Sequence, residues 1–227
     1  DGYVVSVFLF NVHNKLSADC ATNKKRLIEG KRVKQFTEVT VNFDPPQLEA
    51  GMLVVDGLFG SGLNKPLAGG FAAMVKYINQ SAAKIVSIDL PSGLMSEDNS
   101  YNISANIIRA DLTLTLQQKK LSMMMADNQQ YLGRIKVLDI RLSPEFIQRT
   151  ESRCSILEEK DIRQLLKPRG DFAHKGSMGT ALLIAGSYGM AGASVLATRA
   201  CLRTGVGKVI THTPKRNYEI MQISVPE

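Results

Sequence analysis

The apolar and polar residues of this chain are arranged in blocks that predict strands alternating with helices. Short continuous apolar runs are typical of strands that a parallel sheet buries on both faces. Such runs predict strands over residues 3–11, 52–58 and 84–90. A β-branched segment predicts a strand over 37–41, and alternating segments predict strands over 110–116 and 134–140. A helix is predicted over residues 17–29, where apolar positions lie on one side and lysines on the other.

A second helix is predicted over residues 70–80. Apolar residues recur there at intervals of three and four from Phe71 to Ile78, which is the spacing of one buried helical face. A short helical turn is predicted over residues 47–50, directly after a pair of prolines.

The chain then becomes polar, and residues 143–153 are interpreted as a linker. A capping-box pattern from Ser155 to Glu158 predicts the start of a helix that ends near Lys167. The elements predicted after it are a strand over 180–185, a helix with a small-residue face over 193–201 and a strand over 207–213.

This alternation predicts an α/β protein with an open, mostly parallel sheet, followed by the start of a second α/β domain. We place the two domains at residues 1–145 and 152–227. The strands that end at Asp56 and Asp89 belong to one βαβ unit, whose right-handed crossover puts both strand ends at the same edge. Ligands bind beyond the carboxyl ends of such strands, so the two acids indicate one site.

The net charge and the cysteine content limit the kinds of partner and the compartment that we expect for this protein. The net charge is +7, which is compatible with a nucleic-acid partner. The basic groups, however, are scattered over 24–26, 31–32 and 119–120, and no aromatic-rich nucleic-acid motif accompanies them. We therefore expect no nucleic-acid partner and interpret the surface as suited to an anionic small ligand. With three distant cysteines and no long apolar run, we expect a cytoplasmic protein without a membrane partner.

The first strand-end acid, Asp56, precedes a glycine-rich loop that includes residues 60–66. A buried carboxylate is costly unless it is paired, hydrogen-bonded or bound to a cation. Glycines let backbone amides approach an anion closely. Two interpretations stay open: an ion-and-nucleotide site, or an acid that caps a loop amide beside a plain tight turn.

The second acid begins the motif Asp89-Leu90-Pro91-Ser92-Gly93. Pro91 restrains the turn, so the Asp89 carboxylate and the Ser92 hydroxyl are expected at defined positions on the sheet rim. Asp89 is a candidate general acid or base. Asp56 and Ser92 together offer oxygen ligands to a hard or monovalent cation. The alternative is a rigid turn that only stabilises the fold.

In the second domain, three glycines spaced G-x-x-G-x-x-G lie between a strand and a helix. A helix start of this kind attracts phosphate, but close packing of a strand on a helix would use the same glycines. His174 and Lys175 precede the strand and either contact a phosphate or form a surface loop. His13 and His212 have no partners at metal-ligand spacing, so no zinc site is predicted.

Two sets of motifs resemble known families. The sequence Asp-Gly-Leu-Phe-Gly-Ser-Gly-Leu at 56–63, with Asp-Leu-Pro-Ser-Gly at 89–93, resembles the NAD(P)H-hydrate epimerase domain, the Rossmann-like module of the YjeF N-terminal family. The sequence His-Lys-Gly-Ser-Met-Gly at 174–179, with 183–187 and 190–193, resembles the opening of the NAD(P)H-hydrate dehydratase domain, which has a ribokinase-like fold. Their order matches that of fused bacterial repair enzymes.

The resemblance implies roles for individual residues. Asp56 and Ser92 match positions that bind a potassium ion, K+. Asp89 matches the substrate-binding acid thought to assist epimerisation, and Ala193 matches a substrate contact in the second domain. The loop that matches the nucleotide-binding loop consists of Gly60, Ser61, Gly62, Leu63, Asn64, Lys65 and Pro66.

The implied function is the repair of NADH or NADPH hydrated at ring carbon six. The first domain would interconvert the R and S hydrates. The second would remove water from the S form with ADP or ATP, and Mg2+ is a candidate ion there. The expected partner is the nicotinamide nucleotide, and a homo-oligomer is expected.

Two departures from the families bear on this interpretation. The epimerase motif rich in asparagine and glycine is absent before the first strand, and so is the dehydratase Gly-Thr-Gly-Asp turn. The sequence is therefore interpreted as an internal piece of a longer protein, in which activity is expected. The alternatives are a catalytically silent Rossmann-like scaffold that binds a nucleotide or a protein, and a sugar or vitamin kinase, whose fold type the second domain shares.

Overall fold

The computed structural model describes residues 2–31, 33–166 and 168–226. Arg32 of the predicted basic group and Lys167 at the predicted helix end lie outside the described residues, as do Asp1 and Glu227. The chain divides into two compact units, Asp1–Cys154 and Ser155–Glu227. Each unit has its own parallel strands and helices.

The strands of the described residues all pair in parallel. They are β1 (Ser6–Phe10), β2 (Gln35–Val39), β3 (Leu53–Asp56), β4 (Lys84–Ile88), β5 (Leu112–Leu116), β6 (Arg134–Leu138), β7 (Thr180–Ile184) and β8 (Lys208–His212). β1 pairs with β2, β7 pairs with β8, and the other four form a sheet in the order β3-β4-β5-β6. These parallel sheets confirm the predicted α/β class.

Helices connect most of these strands. They are α1 (Ala18–Gly30), α2 (Gly69–Gln80), α3 (Gln129–Leu132), α4 (Pro144–Arg149), α5 (Glu159–Leu165), α6 (Gly192–Thr204) and α7 (Tyr218–Ser224). Short 3-10 helices occupy Ser104–Asn106, Leu121–Met124, Ala126–Asn128 and Lys215–Asn217. None of the helices in the described ranges combines the length and the apolar character that crossing a bilayer requires.

Two apolar clusters hold the four-stranded sheet in place. In the first, Val75 and Ile78 of α2 pack against Ile85 of β4, which is the face that the helical spacing predicts. The second lies beyond the end of β4 and includes Leu90 and Leu94, both at most 1% exposed. Burying a leucine fully contributes about 2 kcal/mol, so this second cluster anchors the turn that follows β4.

The helical turn predicted over residues 47–50 is wrong, because that segment is irregular. The two prolines before it favour an extended backbone over a helical one. The segment is nevertheless packed: Leu48 contacts the first apolar cluster, and the Tyr77 hydroxyl donates a hydrogen bond to the Pro46 carbonyl at 2.7 Å.

The linker interpretation of residues 143–153 is also wrong in part, because α4 lies within it. The Ser143 hydroxyl caps this helix by accepting a hydrogen bond from the Phe146 amide at 3.3 Å. Pro144 occupies the first turn, where its missing N–H costs nothing. The proline therefore starts a helix here instead of marking a loop.

The helix that starts the second unit begins later than the sequence predicts. Its N-cap is Glu158 and not Ser155. The Glu158 amide donates a hydrogen bond to the Asp161 side chain at 2.9 Å. The reciprocal capping pattern exists, but it lies three residues farther along the chain.

Candidate functional site

Asp56 and Asp89 lie at the same edge of the four-stranded sheet. Asp56 is the last residue of β3 and pairs in parallel register with Ser87 of β4. Asp89 follows β4 directly. Because the carboxyl ends of parallel strands share an edge, the two carboxylates, Ser92 and the glycine loop over residues 60–66 come together there.

The carboxylate of Asp56 is buried and fully hydrogen-bonded. Its residue is 2% exposed. It accepts hydrogen bonds from the Ser87 hydroxyl at 2.7 Å, from the Ser92 amide at 2.8 Å and from the Ser92 hydroxyl. A longer bond of 3.4 Å comes from the Leu58 amide. These donors offset the cost of burying the carboxylate, and Ser92 ties the end of β3 to the turn after β4.

The atoms around Asp56 and Ser92 form an oxygen-rich cluster. Ser92 is 1% exposed, and its hydroxyl oxygen lies 3.4 Å from the Phe59 carbonyl oxygen. Carboxylate, hydroxyl and carbonyl oxygens suit hard cations better than they suit zinc or copper. Within the described ranges, no three His, Cys, Asp or Glu side chains lie close enough to share a metal. The oxygen donors around Asp56 and Ser92 fit a hard or monovalent cation.

Asp89 is held in an unusual backbone conformation. Its φ of +67° lies in the left-handed region, which non-glycine residues seldom adopt and which concentrates at functional sites. The residue is 9% exposed. Its Oδ1 accepts a hydrogen bond from the Leu116 amide at 3.2 Å, and its Oδ2 accepts one from the Ser61 amide at 3.3 Å. The surrounding backbone therefore fixes the carboxylate from two sides.

Lys120, which the sequence interpretation did not select, forms an ion pair with Asp89. Its ammonium also donates to the Thr115 hydroxyl and the Leu116 carbonyl, each at 2.9 Å. Burial alone raises the pKa of the Asp89 carboxyl, but the hydrogen bonds from Lys120 and from the amides of Leu116 and Ser61 outweigh it, so the pKa lies below its usual value. Asp89 is therefore ionised at neutral pH.

Sequence reasoning missed Lys120 because it stands beside Lys119 in what looks like scattered surface charge. The signal lies in the topology. β5 is the neighbour of β4 in the sheet, so the residues that follow β5 emerge at the edge that holds Asp89. Extending the strand-end argument from two strands to three would have selected this lysine.

The turn from Asp89 to Gly93 is rigid. Gly93 has a φ of +98°, and a Cβ added to it would lie 2.1 Å from the Asn106 carbonyl oxygen. The Leu94 amide donates to the Pro91 carbonyl at 2.9 Å. The backbone of this turn is thus rigid, as one of the two interpretations of the motif predicts. That rigidity fixes the side chains of Asp89 and Ser92 at the sheet edge.

The predicted nucleotide-binding loop covers Asp89. A Cβ added to Gly60 would lie 3.4 Å from Asp89 Oδ2, so the loop backbone passes close to that oxygen. Leu63 packs against the first apolar cluster and anchors the loop. The exposed residues of the loop are Ser61, Gly62, Asn64 and Lys65, and its half-buried residues are Gly60, Leu63 and Pro66.

The candidate residues of the second unit lie at the start of α6, in the loop before α6 and in the segment before β7. Ala193 is exposed in the first turn of α6. Gly186 has a φ of +84°, and an added Cβ would lie 3.0 Å from the hydroxyl oxygens of Ser194 and Thr213, which supports the packing interpretation of this glycine. The His174 ring accepts a hydrogen bond from the backbone amide two residues farther on at 3.1 Å.

A family profile and several proteins of known sequence are similar to this chain. The profile described as "YjeF-related protein N-terminus" matches residues 1–122. This stretch contains β1 to β5 and every residue of the edge described above, including Asp56, Asp89, Ser92 and Lys120.

Three relatives are each named "Bifunctional NAD(P)H-hydrate repair enzyme Nnr". The protein from Coxiella burnetii is 32% identical over 82% of this chain and 38% of its own length. The protein from Thermofilum pendens is 30% identical over 100% of this chain and 42% of its own, and that from Escherichia coli is 29% identical over 77% and 33%. The chain thus spans between 33% and 47% of the length of these and similar relatives.

Proposed function

Because the chain belongs to the family of YjeF-related protein N-termini, we propose that its first unit interconverts the R and S forms of hydrated NADH or NADPH. The observation that carries this proposal is the Asp89 carboxylate, held by Lys120 beside the exposed glycine loop. The loop is suited to an anionic nucleotide, and the carboxylate is suited to proton transfer. Relatives named NAD(P)H-hydrate repair enzymes support the choice of substrate.

The proposed step uses Asp89 as a base and then as an acid. Carbon six of the hydrate carries a hydroxyl group and is bonded to ring nitrogen one. Asp89 takes the hydroxyl proton, a C=O bond forms at carbon six, and the bond from carbon six to nitrogen one breaks with its electron pair going to nitrogen. The nitrogen then attacks the other face of the carbonyl carbon, and Asp89 returns the proton to oxygen, which gives the other epimer.

We propose further that Asp56 and Ser92 bind K+. The support is their buried cluster of oxygen donors, together with the family resemblance of both positions. When bound, the ion supplies a positive charge near the loop that favours an anionic nucleotide. Both residues also have a structural role, since their mutual hydrogen bonds connect β3 to the turn after β4.

For the domain limits, we propose an epimerase-like domain at residues 1–145 and the start of a dehydratase-like, ribokinase-like domain at 152–227. The second domain would use ADP or ATP, with Mg2+, to phosphorylate the hydroxyl of the S hydrate, which releases AMP or ADP. Loss of phosphate from carbon six and of a proton from carbon five would then restore the ring double bond. Ala193 would contact the substrate there. The word "bifunctional" in the names of the relatives supports this pairing.

We propose that this activity belongs to a cytoplasmic homo-oligomer. The three cysteines, Cys20, Cys154 and Cys201, are few and far apart in the chain, which favours a reducing compartment. The scaffold alternative requires binding of the nucleotide hydrate without turnover. The kinase alternative requires phosphorylation of small alcohols in place of loss of hydrated NADH.

The test of the proposed function starts from one pure epimer. The chain is incubated with the S hydrate of NADH, and the R hydrate is separated and quantified over time. We expect the R form to appear faster than in a protein-free sample, and equally fast with the Asp98→Asn variant, whose carboxylate is exposed and makes only a local bond to Ser100. Conversion at the spontaneous rate would contradict the proposal.

A further inference from the structure

We propose that Lys120 is a positioning residue that orients the Asp89 carboxylate so that Oδ2, and not Oδ1, exchanges the proton with the substrate. This inference rests on the proposed epimerase function and deepens it. It is argued from the hydrogen bonds of the two side chains and from the position of the glycine loop.

The ammonium of Lys120 has no hydrogen left for a substrate. Its three N–H groups face four acceptors: Asp89 Oδ1, the Thr115 hydroxyl, the Leu116 carbonyl and, at 3.3 Å, the Gln118 carbonyl. The side chain is 15% exposed. A lysine with every donor engaged by the protein acts through its partner, so Lys120 serves Asp89.

The two oxygens of Asp89 have different surroundings. Oδ1 accepts hydrogen bonds from Lys120 and from the Leu116 amide. Oδ2 accepts one bond of 3.3 Å, from the Ser61 amide, and faces the exposed loop near Gly60. Oδ2 therefore keeps lone-pair capacity on the side of the loop, where a bound nucleotide would lie.

Lys120 is the charged group that sets the ionisation of Asp89. The neighbouring carboxylate, Asp56, accepts its hydrogen bonds from the Ser87 hydroxyl, from Ser92 and from the Leu58 amide. The loop after β3 brings an uncharged backbone amide into contact with Asp89. Within the described ranges, the ion pair with Lys120 is the direct charged contact of Asp89.

This arrangement makes the proton transfer directional. The ionised Oδ2 takes the hydroxyl proton, and the carboxyl group becomes neutral while Oδ1 keeps its bond to Lys120. The proton then returns from Oδ2 to the substrate oxygen, and the ion pair is restored. No oxidant, reductant or further reactant takes part.

The test compares three variants of the full chain. Lys120→Met removes the charge and keeps the length, Lys120→Arg keeps the charge, and Lys119→Met changes the adjacent exposed lysine as a matched control. The pKa of Asp89 is measured by carbon-13 NMR of its carboxyl, assigned with Asp89→Asn. We expect this pKa to rise in Lys120→Met, to stay low in Lys120→Arg and to be unchanged in Lys119→Met.

Kinetics give the second readout. General acid–base groups contribute about 100- to 10,000-fold to rates, so loss of their orientation in Lys120→Met should lower kcat by about 10- to 100-fold with little change in KM. The acid limb of the pH–rate profile should move to higher pH, because Asp89 then needs a higher pH to ionise. Lys120→Arg should recover part of the rate and should restore the profile.

The possible outcomes distinguish failure of this inference about Lys120 from failure of the proposed epimerase function. An unchanged Asp89 pKa in a folded Lys120→Met variant overturns the inference, as does an unchanged kcat and pH profile in that variant when the wild-type protein is active. If Lys120→Met does not fold, the pKa of the Asp89 carboxyl in the wild-type protein becomes the test. A value at or above about 4 overturns the inference. If the wild-type protein does not epimerise the hydrate, the proposed function fails, while the NMR titration still tests the ion pair.

Discussion

Lys120 donates a hydrogen bond to Oδ1 of Asp89, although the two residues are 31 positions apart in the chain. β4 ends next to Asp89 and β5 ends shortly before Lys120, and the two strands are neighbours in the sheet. The parallel register therefore brings the acid and the base of this pair to one edge. The carboxylate stays ionised there beside the exposed glycine loop, and the proposed chemistry depends on that state.

The bond from Ser87 to the buried Asp56 carboxylate should contribute measurably to stability. Ser87→Ala removes a 2.7 Å donor from a fully buried position and leaves the carboxylate less satisfied, at a cost of about 1–3 kcal/mol. Urea unfolding measures this loss. Ser61→Ala, at an exposed position, is the control and should change the free energy of unfolding by less than about 0.5 kcal/mol. Equal effects of the two variants would contradict the account.

Gly93 should tolerate no side chain. An alanine Cβ would lie 2.1 Å from the Asn106 carbonyl oxygen, in a backbone with a φ of +98°. We expect Gly93→Ala to lower the free energy of unfolding by about 2–4 kcal/mol. Gly62→Ala is the matched control, because an added Cβ there meets nothing within 4 Å. Similar stability of the two variants would show that the turn after β4 is not rigid.

The strand-end argument shows which parts of the site the sequence could predict. Asp56 and Asp89 each follow an apolar run, and a crossover of about 30 residues must bring such strand ends together. Lys120 required the same argument for a third strand, and no periodic pattern in the sequence states that β5 lies beside β4. The positive φ of Asp89 was beyond that argument, because it accompanies hydrogen bonds from the distant amides of Ser61 and Leu116, which no local pattern shows.

Two of the secondary-structure errors fall on short segments that contain or follow prolines. The segment 143–153 was interpreted as a linker, which is wrong in part, and the segment 47–50 was interpreted as a helical turn, which is wrong. Ser143 supplies a cap that turns the first proline into a helix start. The segment around Leu48 is held by packing against the core and not by helical hydrogen bonds. A local cap decided the first segment and tertiary packing decided the second, whereas the longer periodic segments were predicted correctly.

If Asp56 and Ser92 bind K+, the ion should raise the thermal stability of the chain. A ligand that binds only the folded state stabilises it by about 1.4 kcal/mol for each tenfold excess over its dissociation constant. We expect the midpoint of thermal unfolding to be higher in KCl than in NaCl or choline chloride of equal ionic strength. Ser92→Ala should abolish that difference. The same midpoint in all three salts would rule out a stabilising K+ site.

The ion pair of Asp89 predicts a pH dependence of stability. Burial raises the pKa of this carboxyl, but Lys120 and two amides lower it more, so the folded-state pKa lies below the ordinary 3.8. Its contribution is therefore present above about pH 4 and lost as the pH falls through the folded-state pKa. Between about pH 5 and pH 3, the wild-type protein should lose stability more steeply than Asp89→Asn. Urea unfolding at each pH measures this, and parallel curves would contradict it.

The central claim is that the ionised Asp89 carboxylate moves the proton that interconverts the two hydrates. It is tested most directly by the rate of R–S exchange at equilibrium, measured by NMR exchange spectroscopy at saturating hydrate. General acid–base catalysis contributes about 100-fold or more, so Asp89→Asn should lose at least that factor. It should still bind the hydrate, and Asp98→Asn should keep the wild-type rate. Exchange at the wild-type rate in Asp89→Asn would contradict the claim.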